Sequence, residues 1–495
     1  MSLAQTVSDR LRAGALVLVV QEADELLALA SVEAGAGACQ PIVVISGADP
    51  DAASKLENLP SGVGTLVLLD YLAIYGDNPL TVRMVREVAL QQRDEGQRFS
   101  RLVLIEQPAT KIPAGLIGDA EVIQAALPSV AELTDELDAF IETQGITIEG
   151  NGENRYALAS AVAGLPRNEA ARLYARATIE NPDGLAPAWL RAEKAKRVAA
   201  RLGGALTFEA TGDTPDVGGL ENLRDWLAQR GRAFGSAKAR AFGLPEPKGL
   251  LLLGVPGSGK SLVAKTIARQ WGLPLLKLDA GRLFGSLVGQ SEQQTRQATE
   301  AAEACAPCVL WVDEIEKGLA GASGGGGDGG TTQRVFGALL TWLQEKKAPV
   351  FVVATANKIE ALPPELLRKG RFDEIFFVGL PNVDERRAIA KIHLERRGRE
   401  GINHKVVAEA TEGFSGAEIE QAVVEGLFTA YAAGRDLELA DVVGAARATS
   451  PLSRTMGEDI KRLESWADGR ARAASKVDVT EATNIKRRVR RPGIK

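Results

Sequence analysis

A short segment near the middle of the chain has the residue types and spacing of a phosphate-binding loop. The sequence Gly-Val-Pro-Gly-Ser-Gly-Lys-Ser at 254–261 fits the pattern G-x-x-x-x-G-K-[ST]. An apolar run at 250–253 precedes it and a helical pattern at 262–271 follows it, which is the strand–loop–helix context that such a loop requires. The glycines let backbone N–H groups surround phosphate oxygens, and the helix N-terminus favours negative charge. The residues predicted to contact the nucleotide here are Gly254, Pro256, Gly257, Ser258, Gly259, Lys260, Ser261 and Leu262.

Two of these side chains and two later acids predict a metal-dependent reaction at the phosphates. Lys260 is expected to reach the β- and γ-phosphates of ATP, and the Ser261 hydroxyl to ligate Mg²⁺. The apolar run 309–312 ends in Asp313 and Glu314, so a strand would bring both carboxylates beside the loop. Asp313 would then hold Mg²⁺ through water, and Glu314 would polarise the attacking water. ATP and Mg²⁺ are therefore the predicted cofactors.

Three further polar residues extend this predicted site. Asn357 follows the apolar run 350–354, where its amide would hold the water against the γ-phosphate. Arg368 and Arg371 have the spacing of a clamp on phosphate charge, although a pair of surface arginines is the alternative. The predicted catalytic residues are therefore Glu314, Asn357, Arg368 and Arg371.

The composition indicates a soluble globular protein of several domains. The chain has 495 residues, 45% hydrophobic and 25% charged, with a formal net charge of −5. This charge gives no overall attraction to nucleic acid or membranes, except at the basic run 486–491, which is either a solvated tail or a docking contact. Three cysteines and two histidines argue against a disulfide framework and histidine-based metal sites. No apolar run approaches the ~20 residues of a membrane span, and the first residues lack the build of a signal peptide, so a cytoplasmic protein is expected.

Alternating apolar and amphipathic stretches predict two α/β blocks. In the first half, strands are expected at 16–20, 42–45, 66–69 and 102–105, with helices at 23–30 and 80–92. In the second half, strands are expected at 250–253, 275–278, 309–312 and 350–354. Such alternation predicts a parallel sheet with helices on its faces. The predicted division is an N-terminal α/β module at 1–150, a helical segment at 151–203, a linker at 204–216, an α/β core at 217–381, a helical lid with C-terminal helices at 382–475 and a basic tail at 476–495.

The two halves also share an internal pattern. The run 102–105 and the Ile-Pro and Leu-Pro pairs that follow it resemble the run 350–353 and the Leu-Pro pairs that follow that run. The run 65–70 likewise resembles the run 308–313. The first half is therefore interpreted as a decayed copy of the second, the alternative being two unrelated α/β domains with generic patterns. The first half has no G-x-x-x-x-G-K, and 113–128 contains no arginine, so such a copy would be catalytically inactive.

In the order and spacing of these motifs, residues 217–425 resemble the AAA family of P-loop ATPases. Matching segments beyond those above are Val217-Gly218-Gly219-Leu220 and Gly413-Phe414-Ser415-Gly416-Ala417-Glu418. The resemblance implies that Gly218, Gly416 and Ala417 flank the adenine. It also implies that Arg368 and Arg371 act in trans on ATP held by a neighbouring subunit. A homo-oligomeric ring, usually a hexamer, is therefore expected.

More narrowly, the chain resembles an AAA family of cyanobacteria, some other bacteria and algal plastid genomes. The segments that carry this resemblance are 310–317, 340–346, 374–377, 451–453 and 465–467. That family has an N-terminal region like a degenerate AAA module, in agreement with the internal pattern.

One departure from the family leaves two functions open. Translocating AAA rings place an aromatic residue in a central pore loop, where this chain has Leu287 within 285–292. The first hypothesis is a Mg-ATP-driven ring that remodels or regulates a protein partner, and the complete catalytic set favours it. The second is a slow, nucleotide-gated binding or scaffold protein, which the missing aromatic favours. The remodeller is preferred, with no membrane partner and no nucleic acid expected apart from the basic tail.

Overall fold

The computed structural model describes two compact units, Met1–Pro182 and Asp183–Lys495. The described residues are 3–13, 15, 17–37, 41–58, 64–94, 101–108, 110–146, 152–181, 184–200, 205–212, 214–281, 290–317, 329–368 and 370–476. Leu287 and the basic run 486–491 lie outside them. Within the described ranges, no helix is long and apolar enough to cross a membrane.

The first unit is built on a parallel sheet with helices packed against it. Its strands are β1 Val17–Gln21, β2 Ile42–Ser46, β3 Thr65–Leu69, β4 Arg101–Glu106 and β5 Ala120–Gln124. They lie in the order β2-β3-β4-β1-β5, and all the pairs are parallel. Its helices are Leu3–Arg12, Glu25–Ala36, Ala52–Glu57, Tyr71–Tyr75, Pro79–Asp94, Val130–Gln144, Gly152–Val162 and Arg167–Glu180.

The burial of each strand in this unit explains whether its sequence forms an apolar run. β1 and β3 are buried along their whole length, which is why they form continuous apolar runs. The four predicted strands and both predicted helices are present, with ends that differ by a few residues. β5 was not predicted, because it lies at a sheet edge and only one of its five residues is buried, so its sequence is mixed rather than apolar.

The second unit contains a larger sheet and a helical lid. Its strands are β6 Leu206–Glu209, β7 Gly249–Gly254, β8 Leu275–Leu278, β9 Cys308–Val312, β10 Val350–Ala356, β11 Glu374–Val378 and β12 Arg472–Ala473. The order is β12-β11-β7-β10-β9-β8-β6, with β6 antiparallel to β8 and the other pairs parallel. Its helices are Pro187–Ala200, Glu221–Ala233, Ala237–Ala241, Lys260–Trp271, Gln290–Ala304, Gly329–Glu345, Val383–Glu395, His404–Ala410, Gly416–Ala432, Leu439–Ala448, Leu452–Thr455 and Gly457–Ala467, with short 3-10 turns at Ile359–Ala361 and Pro364–Leu367.

Two hydrophobic cores divide the second unit. One lies against the sheet and includes Leu250, Phe351 and Phe376. The other lies inside the lid and includes Leu394 and Ile419. The predicted α/β fold with a helical C-terminal part is confirmed. The lid and the sheet thus have separate hydrophobic cores.

The boundary between the units differs from the predicted division. The predicted linker at 204–216 contains β6, and the division falls between Pro182 and Asp183 instead. Helix Pro187–Ala200 therefore belongs to the second unit and packs beside β6. The strand β6 has only four residues and lies at a sheet edge, so it gives almost no periodic signal in the sequence.

Candidate functional site

The predicted phosphate loop connects β7 to the helix Lys260–Trp271, which we call the P-loop helix. Gly257 has φ 73°, and a Cβ atom there would lie 3.2 Å from the Cβ of Ala417. The N–H of Ala417 donates to the Gly257 carbonyl at 3.1 Å. At Gly254, φ is 155° and a Cβ atom would lie 2.0 Å from the Val378 carbonyl oxygen. Glycine is therefore required where the loop passes the neighbouring strand and the lid.

The loop has a buried lysine and a buried hydroxyl without a partner among the described residues. Lys260 is 6% exposed, and its Nζ donates to the carbonyls of Gly254 at 3.0 Å and Val255 at 2.7 Å. Burial lowers the pKa of Lys260 to about 8, against the opposing charges of Glu316 and Asp313. The Ser258 Oγ is buried and has no hydrogen-bond partner among the described residues. A buried cation beside an unpaired hydroxyl is an arrangement that a phosphate group satisfies.

The Ser261 hydroxyl and the Asp313 carboxylate are in contact. The Ser261 Oγ donates to Asp313 Oδ1 at 3.3 Å, and the Thr355 Oγ1 donates to the same oxygen at 2.7 Å. Lys277 Nζ lies 3.7 Å from the other carboxylate oxygen of Asp313. Because β9 and β10 are adjacent and parallel, their carboxyl ends bring these groups together. A hydroxyl and a carboxylate are the hard oxygen donors that suit Mg²⁺.

The second acid is held by its backbone and by two side chains. Glu314 has φ 47°, which is uncommon for a residue with a side chain, and its N–H donates to Thr355 Oγ1 at 2.9 Å. Asn357 Nδ2 donates to Glu314 Oε1 at 2.9 Å, and Lys317 forms an ion pair with the other carboxylate oxygen. The backbone N–H of Asn357 donates to Glu316 at 2.8 Å. The Glu314 carboxylate and the Asn357 amide, which were predicted to act on the attacking water, are therefore hydrogen-bonded to each other.

One cavity of about 540 Å³, here called the nucleotide cavity, is lined by loop residues 256–262 and by Asp313, Glu314, Thr355 and Asn357. Its wall beyond the loop comes from segment 215–218 and from two lid helices, Val383–Glu395 and Gly416–Ala432. At that end the lining includes Val217, Ile389 and His393. Burial lowers the pKa of His393, and its Nδ1 lies 3.4 Å from Glu420. A cavity with polar groups at one end and apolar side chains at the other matches a nucleotide, which has phosphates at one end and a flat base at the other.

Comparisons with known proteins agree with this geometry. Residues 250–380 match the family described as "ATPase family associated with various cellular activities (AAA)". The chain is 39% identical over 421 residues to the "Uncharacterized AAA domain-containing protein ycf46" of Guillardia theta, which covers 83% of this chain and 80% of that protein. It is 40% identical over 371 residues, 74% of each chain, to the protein of the same name from Trieres chinensis. The chain belongs to the AAA family.

A more distant AAA relative is the "Proteasome-activating nucleotidase" of Sulfurisphaera tokodaii. It is 34% identical over 200 residues, which is 40% of this chain and 51% of that protein. The similarity therefore covers less than half of this chain.

Most of the residues predicted for the AAA site lie in the nucleotide cavity. The loop residues from Pro256 to Leu262 line it, as does Asp313, the second predicted metal ligand. The predicted adenine-flanking positions Gly218, Gly416 and Ala417 and the predicted catalytic residues Glu314 and Asn357 line it too. Gly254 does not line it, but its carbonyl accepts from Lys260. Arg368 and Arg371 do not line it either. Arg368 is exposed after the 3-10 turn Pro364–Leu367, and Arg371 is half-buried with no partner for its Nη1 in the described part of the chain.

Sequence reasoning missed several residues of this site. Thr355 joins Asp313 to the backbone of Glu314, and Glu316 accepts the backbone N–H of Asn357. Lys277 and His393 also lie beside the predicted groups. A threonine two residues before Asn357, at the end of an otherwise apolar strand, was the available signal for Thr355. Lys277 and His393 come from other elements and gave no such signal.

Proposed function

We propose that this AAA protein is a Mg²⁺-dependent ATP hydrolase that remodels or regulates a protein partner as a ring. The observation that carries the hydrolase assignment is the pairing of Ser261 with Asp313 and of Glu314 with Asn357 within one cavity. The first pair suits a metal, and the second suits a water molecule at the γ-phosphate.

In the proposed reaction, each side chain has one task. Lys260 turns from its carbonyl partners to the β- and γ-phosphates, while Ser258 and the loop N–H groups hold phosphate oxygens. Ser261 and Asp313 would hold Mg²⁺, which when bound neutralises phosphate charge. Glu314 accepts a proton from the water that attacks the γ-phosphorus, and Asn357 fixes the carboxylate and the water. ADP leaves with the electrons of the broken P–O bond.

The ring is proposed from the position of the two arginines. Arg368 is exposed and neither arginine lines the nucleotide cavity of its own chain, although their spacing suits phosphate charge. We propose that they reach ATP in the next subunit of a homo-oligomer, as the AAA family implies. The relative from Sulfurisphaera tokodaii is named for an action on another protein assembly, which supports a protein partner. The ring size and a cytoplasmic location stay predictions.

A second candidate function is supported by the partners of the Glu314 carboxylate. One of its oxygens accepts from Asn357 and the other pairs with Lys317, so an attacking water must share an oxygen with a partner that is already present. This favours slow basal hydrolysis and therefore a nucleotide-gated scaffold, in which the bound ATP controls assembly.

Turnover measurements on the full chain test the hydrolase and separate the two functions. Glu314→Gln should bind ATP with wild-type affinity and hydrolyse almost none, because an amide keeps the shape but accepts no proton. Hydrolysis at the wild-type rate in that variant would exclude Glu314 as the base.

The same variant can isolate the partner. Glu314→Gln should retain the partner in the presence of ATP, and Lys260→Ala should serve as the nucleotide-free control. Addition of the purified partner to the wild-type protein should then raise ATP turnover if the protein is a remodeller. Turnover that stays slow with the partner bound would instead support the scaffold.

A further inference from the structure

A second cavity, of about 330 Å³, lies behind the segment that closes the apolar end of the nucleotide cavity. We call it the rear cavity. Its walls come from segment 216–220, helix Glu221–Ala233, the P-loop helix and the lid helix Val383–Glu395. The rear cavity therefore lies where the lid meets the α/β core. Its volume is at the lower end of the range for small-molecule sites.

The buried side chains that line the rear cavity are apolar except for one threonine. Leu223, Leu227 and Val263 line it and are at least nine-tenths buried. Thr266 also lines it, is 8% exposed, and its hydroxyl has no hydrogen-bond partner among the described residues. A threonine in a helix normally bonds a carbonyl of the preceding turn, and valine would fill the same space without an unpaired hydroxyl. Because threonine has two accessible χ1 rotamers in a helix, Thr266 can turn its hydroxyl to a bound molecule.

The rim of the rear cavity carries balanced charge. Asp216 and Glu395 are acidic, and Arg224 and Lys391 are basic. Lys391 lies 3.6 Å from Glu395. A rim of this kind gives no net attraction to an anion or a cation. The features together select a neutral molecule with an apolar body and one hydrogen-bonding group.

We propose that the rear cavity binds a small neutral amphipathic molecule, such as a phenol-like ring, whose polar group bonds to the Thr266 hydroxyl. The occupant would also contact the wall shared with the nucleotide. Asp216, Val217, Gly218 and Ile392 line both cavities.

The shared wall provides the coupling between the two cavities. The N–H of Leu220 donates to Glu385 Oε1 at 3.0 Å, which ties segment 216–220 to the lid helix Val383–Glu395. A molecule in the rear cavity contacts that lid helix and the P-loop helix at once, and so it fixes the position of the lid relative to the loop. Its binding therefore changes nucleotide affinity, and nucleotide changes its affinity by the same factor. This coupling rests on the proposed nucleotide site, whereas the rear cavity itself does not.

The test uses two probes that differ by one hydroxyl, 4-fluorophenol and fluorobenzene, with the full chain saturated with ADP and Mg²⁺. Saturation fills the nucleotide cavity, and ¹⁹F NMR follows binding of each probe. We expect Thr266→Val to weaken 4-fluorophenol roughly three- to tenfold, the effect of one neutral hydrogen bond, and to leave fluorobenzene unchanged. Ala388→Phe should abolish the binding of both probes, because Ala388 lines the rear cavity and not the nucleotide cavity.

Each outcome decides the proposal. An ADP affinity equal to that of the wild-type chain shows that each variant is folded. No binding of 4-fluorophenol to the wild-type chain, binding retained in Ala388→Phe, or equal binding to wild type and Thr266→Val would overturn the site. An ADP Kd that is the same with and without saturating 4-fluorophenol would overturn the coupling. If the wild-type chain binds 4-fluorophenol but not ADP, the proposed function fails and the rear cavity stands.

Discussion

β1 of the first unit and β7 of the second unit occupy the same position in their sheets. Each is the fourth strand of the shared order, β2-β3-β4-β1-β5 in one unit and β8-β9-β10-β7-β11 in the other. β7 continues into the glycine-rich loop, whereas β1 continues into Glu22-Ala23-Asp24 and then a helix that begins at Glu25. The Asp24 carboxylate accepts the N–H of Leu27 at 3.2 Å. Strand order alone therefore makes no phosphate site, because an acidic connection already occupies the helix N-terminus.

The third strands of the shared order, β4 and β10, differ in a second way. Leu69 of β3 pairs with Ile105 of β4, and Val312 of β9 pairs with Ala354 of β10. The next residue is Glu106 in the first unit and Thr355 in the second. Glu106 is fully buried and accepts N–H groups from the helix Tyr71–Tyr75, whereas Thr355 holds the two acids of the nucleotide cavity. We propose that the first unit is a degenerate AAA module in which this position stabilises the fold instead of a reaction.

The largest expected effect concerns where the chain binds nucleotide. Lys260→Ala should abolish ATP binding by the full chain, because the first unit has no substitute for the lost phosphate contact. Calorimetry with ATP and Mg²⁺ should show no heat of binding, while Lys461→Ala, a change of an exposed lysine, should bind as wild type. A remaining one-to-one binding event in Lys260→Ala would place a second nucleotide site outside the loop and break the comparison.

The second prediction concerns the arginines, which 113–128 of the first unit lacks. Arg368→Ala should bind ATP normally and lose roughly 10³–10⁵ in turnover, the range for trans-acting arginines in related P-loop enzymes. Turnover of the wild-type protein should also rise with protein concentration, because each site is built from two subunits. Mixing Arg368→Ala with Lys260→Ala should restore part of the activity. Without rescue at any ratio, and with turnover independent of concentration, the ring would have to be abandoned.

The sequence predicts local features of this molecule better than features that need several elements. The loop 254–261 and the acids after β9 are local patterns, and most of these residues line one cavity in the structure. The repeated strand order was only partly visible, as similar runs at 65–70 and 308–313. Thr355 and Glu106 correspond only through the ladders of two separate sheets. The rear cavity needs four elements in contact, and no pattern along the chain indicates it.

The third prediction uses the pH dependence of the first unit. Burial raises the pKa of Glu106 to about 7 from an ordinary value of 4.5, the charge of Asp70 adds to it, and the N–H groups of Leu72 and Ala73 oppose it. The folded state therefore binds the proton more tightly than the unfolded state. This stabilisation is complete below pH 4.5 and is lost as the pH rises through about 7, a change of about 3 kcal/mol.

Hydrogen exchange of the full chain measures this change in each unit. After correction for intrinsic rates, peptides of β4 should lose protection between pH 5 and pH 7.5, while peptides of β10 should change less. Glu106→Gln should remove most of the pH dependence of β4. If β4 in the Gln variant keeps the wild-type pH dependence, another group is responsible.

The smallest expected effect tests what Thr355 does at the position that Glu106 occupies in the first unit. Thr355→Val keeps the shape of the side chain and removes the hydroxyl that donates to Asp313 at 2.7 Å and accepts from the Glu314 N–H at 2.9 Å. Glu314 is then free to leave its unusual backbone conformation, φ 47°, and its carboxylate loses its fixed position. Hydrogen bonds to charged groups contribute about 1.5–3 kcal/mol, so kcat should fall roughly ten- to a hundredfold. The KM for ATP should change little, since Lys260 and the loop are intact. Thr355→Ser keeps the hydroxyl and should recover most of the turnover, which a purely steric role would not predict. If the Val and Ser variants lose kcat equally, Thr355 acts through its methyl group, and the contrast with Glu106 is one of packing rather than of chemistry.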